Sequence, residues 1–473
     1  MTDAGRRPYV AEHMTTTVDV GVDLGTTVTK AVALDGARRV VARAALPTPW
    51  ERPRPQWCER DPADAVATVD RLLADLVRAG GDVQVRSVGF CSIAETGALV
   101  GAGGAAVSRL LAWHDPRGGR QAATLDPSLA AVLPSRTGLA VSAVATAFKL
   151  LWWRDEAGLD LHGVQWLGLP ELVCHGLGSG RFAERSMLGR TALWDVHDET
   201  LYTPVLDALG VGPDLVPPRV AAGAALGRVR ADHPVERARG AVLTVAGHDH
   251  LVAAAALGAG GIGTLCDSMG TAEALVAAVV SPPSPRVVAG LVSRGLSVYP
   301  HVVDSTTCLL GALRTGLVLG SALDTLGATT IEQRLAFDAT MPPGTNPGDV
   351  TVEGLDMADD HVRVAWPEGT GRHAAWAGVL ARTREVVASE VAAMRAVGVP
   401  VDEVVVTGGW ARLPSVAASR VGIAVRTHHV AMEEPGATGA ALFACWAATR
   451  HPDGSDPTTH EAPQAGWFTA PSI

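Results

Sequence analysis

The feature that most constrains this chain is a turn that occurs twice. Asp23-Leu24-Gly25-Thr26-Thr27 interrupts a strand pattern in which Val18, Val20, Val22 and Leu24 alternate with Asp19, Gly21 and Asp23, and Val32-Ala33-Leu34 resumes it. About half a chain later, Asp267-Ser268-Met269-Gly270-Thr271 stands between the apolar Ile262 to Leu265 and Ala274-Leu275-Val276. A strand-turn-strand unit repeated at that distance predicts two similar lobes that turn their loops toward each other. Around the turns, strands alternate with helices. Asp61-Pro62 reads as an N-cap and first helical position, Val66, Val69, Leu73, Leu76 and Val77 follow at helical spacing, and Val85 to Cys91 is again strand. The fold class is therefore α/β, with lobes expected over 15–246 and 247–450 and tails at 1–14 and 451–473. Either Met1 or Met14 serves as a start, and the Pro-, Asp- and Thr-rich tail after His451 is expected to be loosely ordered.

The turns also have a chemistry. Glycine lets backbone N–H groups converge, two hydroxyls add donors, and an acid at the strand end can hold a divalent cation. One such loop is as well explained by a hairpin with capped carbonyls; two that face each other make a phosphate clamp. The rest of the composition narrows the partners. A net charge of -10 without a long acidic or basic run gives no footprint for nucleic acid or an anionic membrane. The six cysteines contain no C-x-x-C pair, which disfavours zinc and disulfide scaffolds and suits a reducing, cytoplasmic setting. No apolar stretch has the length of a membrane span or a signal peptide. Only Lys30 and Lys149 among 39 basic residues are lysine, so a compact ammonium at either position stands out.

Gly247-His248-Asp249-His250 precedes the helical run Leu251 to Ala255, where Asp249 either caps the helix or acts chemically. The His248/His250 pair has no third ligand in sight, so metal binding there is not expected. Glu95 follows the Val85 to Cys91 strand, and Trp113 offers a face to an apolar surface or to the core. Val404-Val405-Val406 runs into Gly408-Gly409, a strand end where a base or ribose can approach backbone closely, although Trp410 is bulky for such a loop. Pro435 to Leu442 opens a helix with a small-residue face.

Taken together these segments resemble the FGGY carbohydrate kinases, members of the actin, hexokinase and heat-shock chaperone superfamily. Asp23 to Thr27 with Lys30 is similar to the first phosphate motif, D-x-G-T-T-x-x-K; Trp57-Cys58-Glu59-Arg60-Asp61-Pro62 to W-x-E-x-D-P; and Trp113-His114-Asp115-Pro116-Arg117 to W-x-D-x-R. Asp267 to Thr271 is similar to the second phosphate motif, and Gly408-Gly409-Trp410-Ala411-Arg412 to the adenosine motif G-G-x-x-R. Lys149 also falls at a family-like position. The matches run in order from about residue 17 to 448.

The resemblance implies two ribonuclease-H-like lobes around a cleft, ATP and Mg2+, and phosphorylation of a sugar or polyol hydroxyl. It makes Asp249 the base that takes the acceptor proton and places Asp23 and Asp267 at the metal. Gly25, Thr26, Thr27, Lys30, Gly270 and Thr271 would hold phosphates, with Gly408, Gly409 and Arg412 at the nucleoside. Glu95, Trp113, Asp115, Asp249 and His250 would face the acceptor. Ala94 stands where glycerol-phosphorylating members carry Arg, which points to an acceptor of at least four carbons. The reading of another class is a non-catalytic actin-like nucleotide-binding partner protein; a homodimer is left open.

Overall fold

The computed structural model describes residues 15–357, 361–451 and 455–469. Along the chain the main elements are β1 (Thr16–Leu24), β2 (Val28–Leu34), β3 (Val40–Pro47), α1 (Pro62–Gly80), β4 (Val83–Ser92), α2 (Thr146–Asp155), β5 (Gly227–Arg228), β6 (Val242–His248) and α3 (Asp249–Ala256). After these come β7 (Gly263–Met269), β8 (Glu273–Val279), β9 (Ser297–Pro300), β10 (Thr307–Leu313), α4 (Thr315–Thr325), α5 (Arg372–Ala396), β11 (Val401–Thr407), β12 (Arg426–His429) and α6 (Pro435–Arg450).

Two six-stranded sheets result, in the orders β5-β6-β4-β1-β2-β3 and β9-β10-β8-β7-β11-β12. In each, an antiparallel hairpin carries the Gly-Thr turn at its tip and a parallel strand lies on its other side: β4 beside β1, and β11 beside β7. The duplicated turn thus marks a duplicated sheet. Local chemistry explains the elements. Asp61 accepts from Ala63 N at 2.8 Å with Pro62 in the first turn of α1, and Val69, Leu73 and Leu76 are buried on its apolar face.

The two halves share a middle layer. α6 lies on β1 and β4 of the first sheet, so closely that a Cβ on Gly21 would stand 1.9 Å from Ala437 O and one on Gly89 2.3 Å from Ala440 O. α3 packs against α6 and β8, and a Cβ on Gly439 would lie 2.5 Å from Val252 O. The boundary expected before Gly247 instead falls inside β6, because Gly247 and His248 pair with Cys91 and Ser92 of β4. Likewise α6, expected with the second lobe, covers the first sheet. The tail departs from expectation too. Its described residues dock on α6: Phe468 is buried beside Phe443, and the Arg38 guanidinium lies 4.5 Å from the Trp467 ring. Residues 1–14 lie outside the described set.

No described helix is long and apolar enough to cross a membrane. The six cysteines are free, five of them buried.

Candidate active site

The ends of β1, β4 and β6 gather the acids. Asp23 closes β1 with one carboxylate oxygen, Oδ1, buried and without a protein partner. Burial and the neighbouring Asp249 charge push it up to about 7, against the pull of Lys30. Asp249 opens α3, and its Oδ1 accepts the His250 N–H at 2.7 Å. Burial raises it as well, while His250 lowers it. Two acids that destabilise each other's charge, one with an orphaned oxygen, form a donor set that suits a divalent cation. Gly436 at the start of α6 is required beside them, since a Cβ there would stand 2.7 Å from Asp23 Oδ2.

The first Gly-Thr turn is held open from behind. Thr48 Oγ1 donates to Gly25 O at 3.0 Å and Trp50 Nε1 to Thr26 O at 2.7 Å, while Trp113 Nε1 donates to Thr26 Oγ1 at 3.2 Å. The Thr27 side is exposed, and the Lys30 ammonium sits 2.7 Å from Glu434, the residue just before α6.

The acceptor side is built on Glu95. Its backbone adopts φ +57, a conformation costly for a residue with a Cβ, and its side chain is buried. Arg190 explains both: its Nε donates to Glu95 Oε1 at 2.6 Å, Nη2 reaches the same oxygen, and the guanidinium lies 5.0 Å from the Tyr299 ring. Arg190 reaches this carboxylate from a distant part of the chain, while Ala94 precedes it in sequence. Nothing local in Gly189-Arg190-Thr191 announces this, which is why sequence reasoning missed it. Trp113 is half-buried above Thr26, and His250 is exposed at the head of α3.

Two of the expected site residues are enclosed by protein partners. Asp115 is sealed: Oδ1 accepts from Arg117 N and Nε at 2.9 and 2.8 Å, and Oδ2 from Cys58 N and Arg117 Nη2 at 2.6 and 2.7 Å. Having no face on the cleft, it orients Arg117 against Trp57 rather than meeting an acceptor. Asp267 is also enclosed. Arg420 bridges it to Glu273 with contacts of 3.0 and 2.8 Å, Thr315 binds the other Glu273 oxygen, and all three charged side chains are fully buried. Burial beside Glu273 pushes Asp267 well up. Asp267 Oδ2 is thus engaged by Arg420, while its Oδ1, like that of Asp23, is buried without a protein partner, and the fully enclosed Asp267 differs from the half-buried Asp23 in having an arginine beside it. Lys149 is buried as well, its ammonium donating to Trp113 O at 2.9 Å, Val144 O at 3.1 Å and Glu95 O at 3.4 Å, and burial lowers it to about 8.

On the second lobe, Gly270, Thr271, Gly316, Gly320, Gly409, Trp410, Arg412 and Arg334 border an open cavity of about 910 Å³. Backbone walls it. A Cβ on Gly316 would fall 2.0 Å from Gly270 O, and Gly408, at φ +96, has Met269 O 2.5 Å from where a Cβ would be. Trp410 does not block the loop but lies against α4 with Arg334 5.0 Å from its ring. Its volume falls in the range of small-molecule sites.

The first-lobe residues 18–258, slightly more than half the chain, match the model of the N-terminal domain of the FGGY family of carbohydrate kinases. The chain belongs to that family. Among curated FGGY relatives it is 26% identical over 222 residues to an L-fuculokinase of Salmonella typhi, covering 45% of this chain and 46% of the relative. It is 28% identical over 228 residues to a glycerol kinase of Polaromonas naphthalenivorans, 45% of each. The matched stretch thus spans about half the length of these relatives. Solved structures extend the likeness in fold: xylulose kinase from Rhodospirillum rubrum (TM-score 0.80, 21% identity, 94% of each chain) and gluconate kinase from Lactobacillus acidophilus (TM-score 0.78, 18% identity, 96% and 95%).

Proposed function

We propose that this FGGY member transfers the terminal phosphoryl group of ATP to a hydroxyl of a sugar or polyol. The observation that carries the reading is the meeting of Asp249 with Asp23 at the end of the first sheet, together with the buried Glu95–Arg190 pair and the second-lobe cavity bordered by Gly270 and Thr271. A protein that only bound nucleotide would have no use for Asp249 or Glu95.

The roles follow from position. Asp249 accepts the proton of the attacking hydroxyl, and its burial keeps the carboxylate poorly solvated and thus a better base than in water. In a loose phosphoryl transfer the alcohol becomes acidic late, so placement counts for more than basicity. Thr26, Thr27 and Lys30 on one lobe and the Gly270-Thr271 turn on the other hold the phosphates; Gly408, Gly409 and Arg412 face the nucleoside. Asp23 would hold Mg2+, which when bound neutralises charge on the transferring group. Glu95 accepts acceptor hydroxyls, oriented by Arg190, and Trp113 covers the apolar side of the carbon chain. An acceptor of at least four carbons is expected from Ala94, which stands where glycerol-phosphorylating members carry Arg.

Asp249→Asn is expected to lower turnover by at least about 1000-fold while ATP affinity stays within about threefold, since the lost group acts in the transition state. Isothermal titration with ATP and coupled ADP assay measure the two. Turnover near that of the wild type would return Asp249 to helix capping.

A further inference from the structure

Arg420 is fully buried, and it joins parts of the second lobe that lie far apart in sequence. It follows the short helix Pro414–Ser419, and α5 fixes the chain on both sides of it, because Arg384 Nη1 donates to Ser419 O at 2.8 Å and to Val421 O at 2.6 Å. The guanidinium then turns inward. Nε donates to Asp267 Oδ2 at 3.0 Å, Nη2 to Glu273 Oε1 at 2.8 Å and Nη1 to Ser419 Oγ at 3.0 Å.

The two carboxylates flank the second Gly-Thr turn. Glu273 pairs across the hairpin with Met269, two residues after Asp267, so the acids stand diagonally on one face of β7 and β8. Glu273 also pairs with Leu313 at the end of β10, and its second oxygen accepts from Thr315 Oγ1 at the start of α4. Through these contacts one side chain reaches three walls of the second-lobe cavity: Gly270 and Thr271 at the hairpin tip, Gly316 beside Thr315, and the Gly409 to Leu413 loop that leads into the helix before Arg420. The walls meet at Gly316, where a Cβ would stand 2.0 Å from Gly270 O, 2.7 Å from Thr271 O and 2.8 Å from Trp410 Nε1. Arg420, Asp267, Glu273 and Thr315 themselves do not border the cavity.

We infer that Arg420 is a positioning residue for this cavity: it holds the Gly270-Thr271 turn, the start of α4 and the Gly409 to Leu413 loop in the arrangement that receives a nucleoside triphosphate, without touching the ligand. The inference rests on the reading that the cavity takes ATP. A buried ion network adds little stability over well-packed apolar residues; what it supplies is a defined geometry, set here by a planar fork with an acid on each of two prongs. Lysine offers a charge of the same sign but no fork, so it cannot hold two carboxylates and a hydroxyl at fixed angles.

Isothermal titration with ADP and Mg2+ tests the inference. Arg420→Lys is expected to raise the Kd for ADP at least about 10-fold, since small displacements of binding groups are costly. Thr315→Val, which removes one hydroxyl and with it the link to α4, is expected to raise it at least about threefold. Val391→Ala is the control: Val391 is buried in the same core on α5 and does not border the cavity, so the variant is expected to lower Tm with the Kd for ADP within about twofold. An unchanged Kd in Arg420→Lys, or an equal loss of affinity in Val391→Ala, overturns the inference. If Arg420→Lys does not fold, Thr315→Val decides by the same two outcomes. A wild-type protein that binds no ADP overturns the kinase reading and the inference together, whereas wild-type binding that the variants leave unchanged overturns the inference alone.

Discussion

Glu171 is one source of pH dependence in this molecule's stability. It is buried behind Glu95; Oε1 accepts the Glu184 N–H at 3.1 Å, Oε2 has no partner, and burial pushes the group up to about 8 from an ordinary 4.5. Its neighbour Glu184 rises to about 7 for the same reason. The sign follows from proton uptake. The native state keeps protons that the unfolded chain releases above 4.5, so this contribution is complete in acid and is lost as pH rises toward 8, at up to about 1.4 kcal/mol per unit for each group. Glu171→Gln is expected to flatten the fall in Tm between pH 5 and pH 8, leaving the variant the more stable at the upper end; thermal scans across that range decide it. Lys149 shows what a single residue type reveals. In a chain that otherwise uses arginine, its ammonium is legible as a special requirement, and the structure supplies the reason in three carbonyls converging on one compact donor. Arg190 left no such trace, since one arginine among 37 is unremarkable until Glu95 is found beside it.

At the scale of elements, the strands and turns were readable because period-two alternation and Gly-Thr punctuation are local signals. Which sheet a helix covers is not local. The small-residue face of α6 is explained by close packing rather than nucleotide contact, and the helix crosses back to the first sheet because Gly21 and Gly89 give it room. Gly21→Ala is expected to destabilise the protein by about 1–3 kcal/mol, as overpacking of a closed seam does, with the loss visible as a lower denaturant midpoint at unchanged slope. The two phosphate turns teach the converse lesson. Asp23 and Asp267 look alike in sequence, yet Arg420, more than a hundred residues downstream, enters beside Asp267 and pairs with it. A repeated motif does not fix the partners that each copy meets.

For the whole molecule, the cleft lies between two halves that are tied at one side and free at the other. β9 and the α3/α6 layer bind them near Asp249, whereas the Gly25-Thr26-Thr27 and Gly270-Thr271 turns approach from opposite sheets. Closure about the tied side is expected to bring the turns onto one triphosphate and to exclude water. Small-angle scattering is expected to show a smaller radius of gyration with acceptor and a non-hydrolysable ATP analogue together than with neither. The central claim, that the chain phosphorylates a sugar or polyol, is tested most directly by ADP release with ATP and Mg2+ over a panel of glycerol, tetritols, pentitols, ketopentoses, ketohexoses and sugar acids. The structure predicts that at least one acceptor of four or more carbons stimulates release well above the acceptor-free rate and that glycerol is poor. Nucleotide binding with no stimulation by any member of the panel would contradict it and favour a nucleotide-binding partner protein.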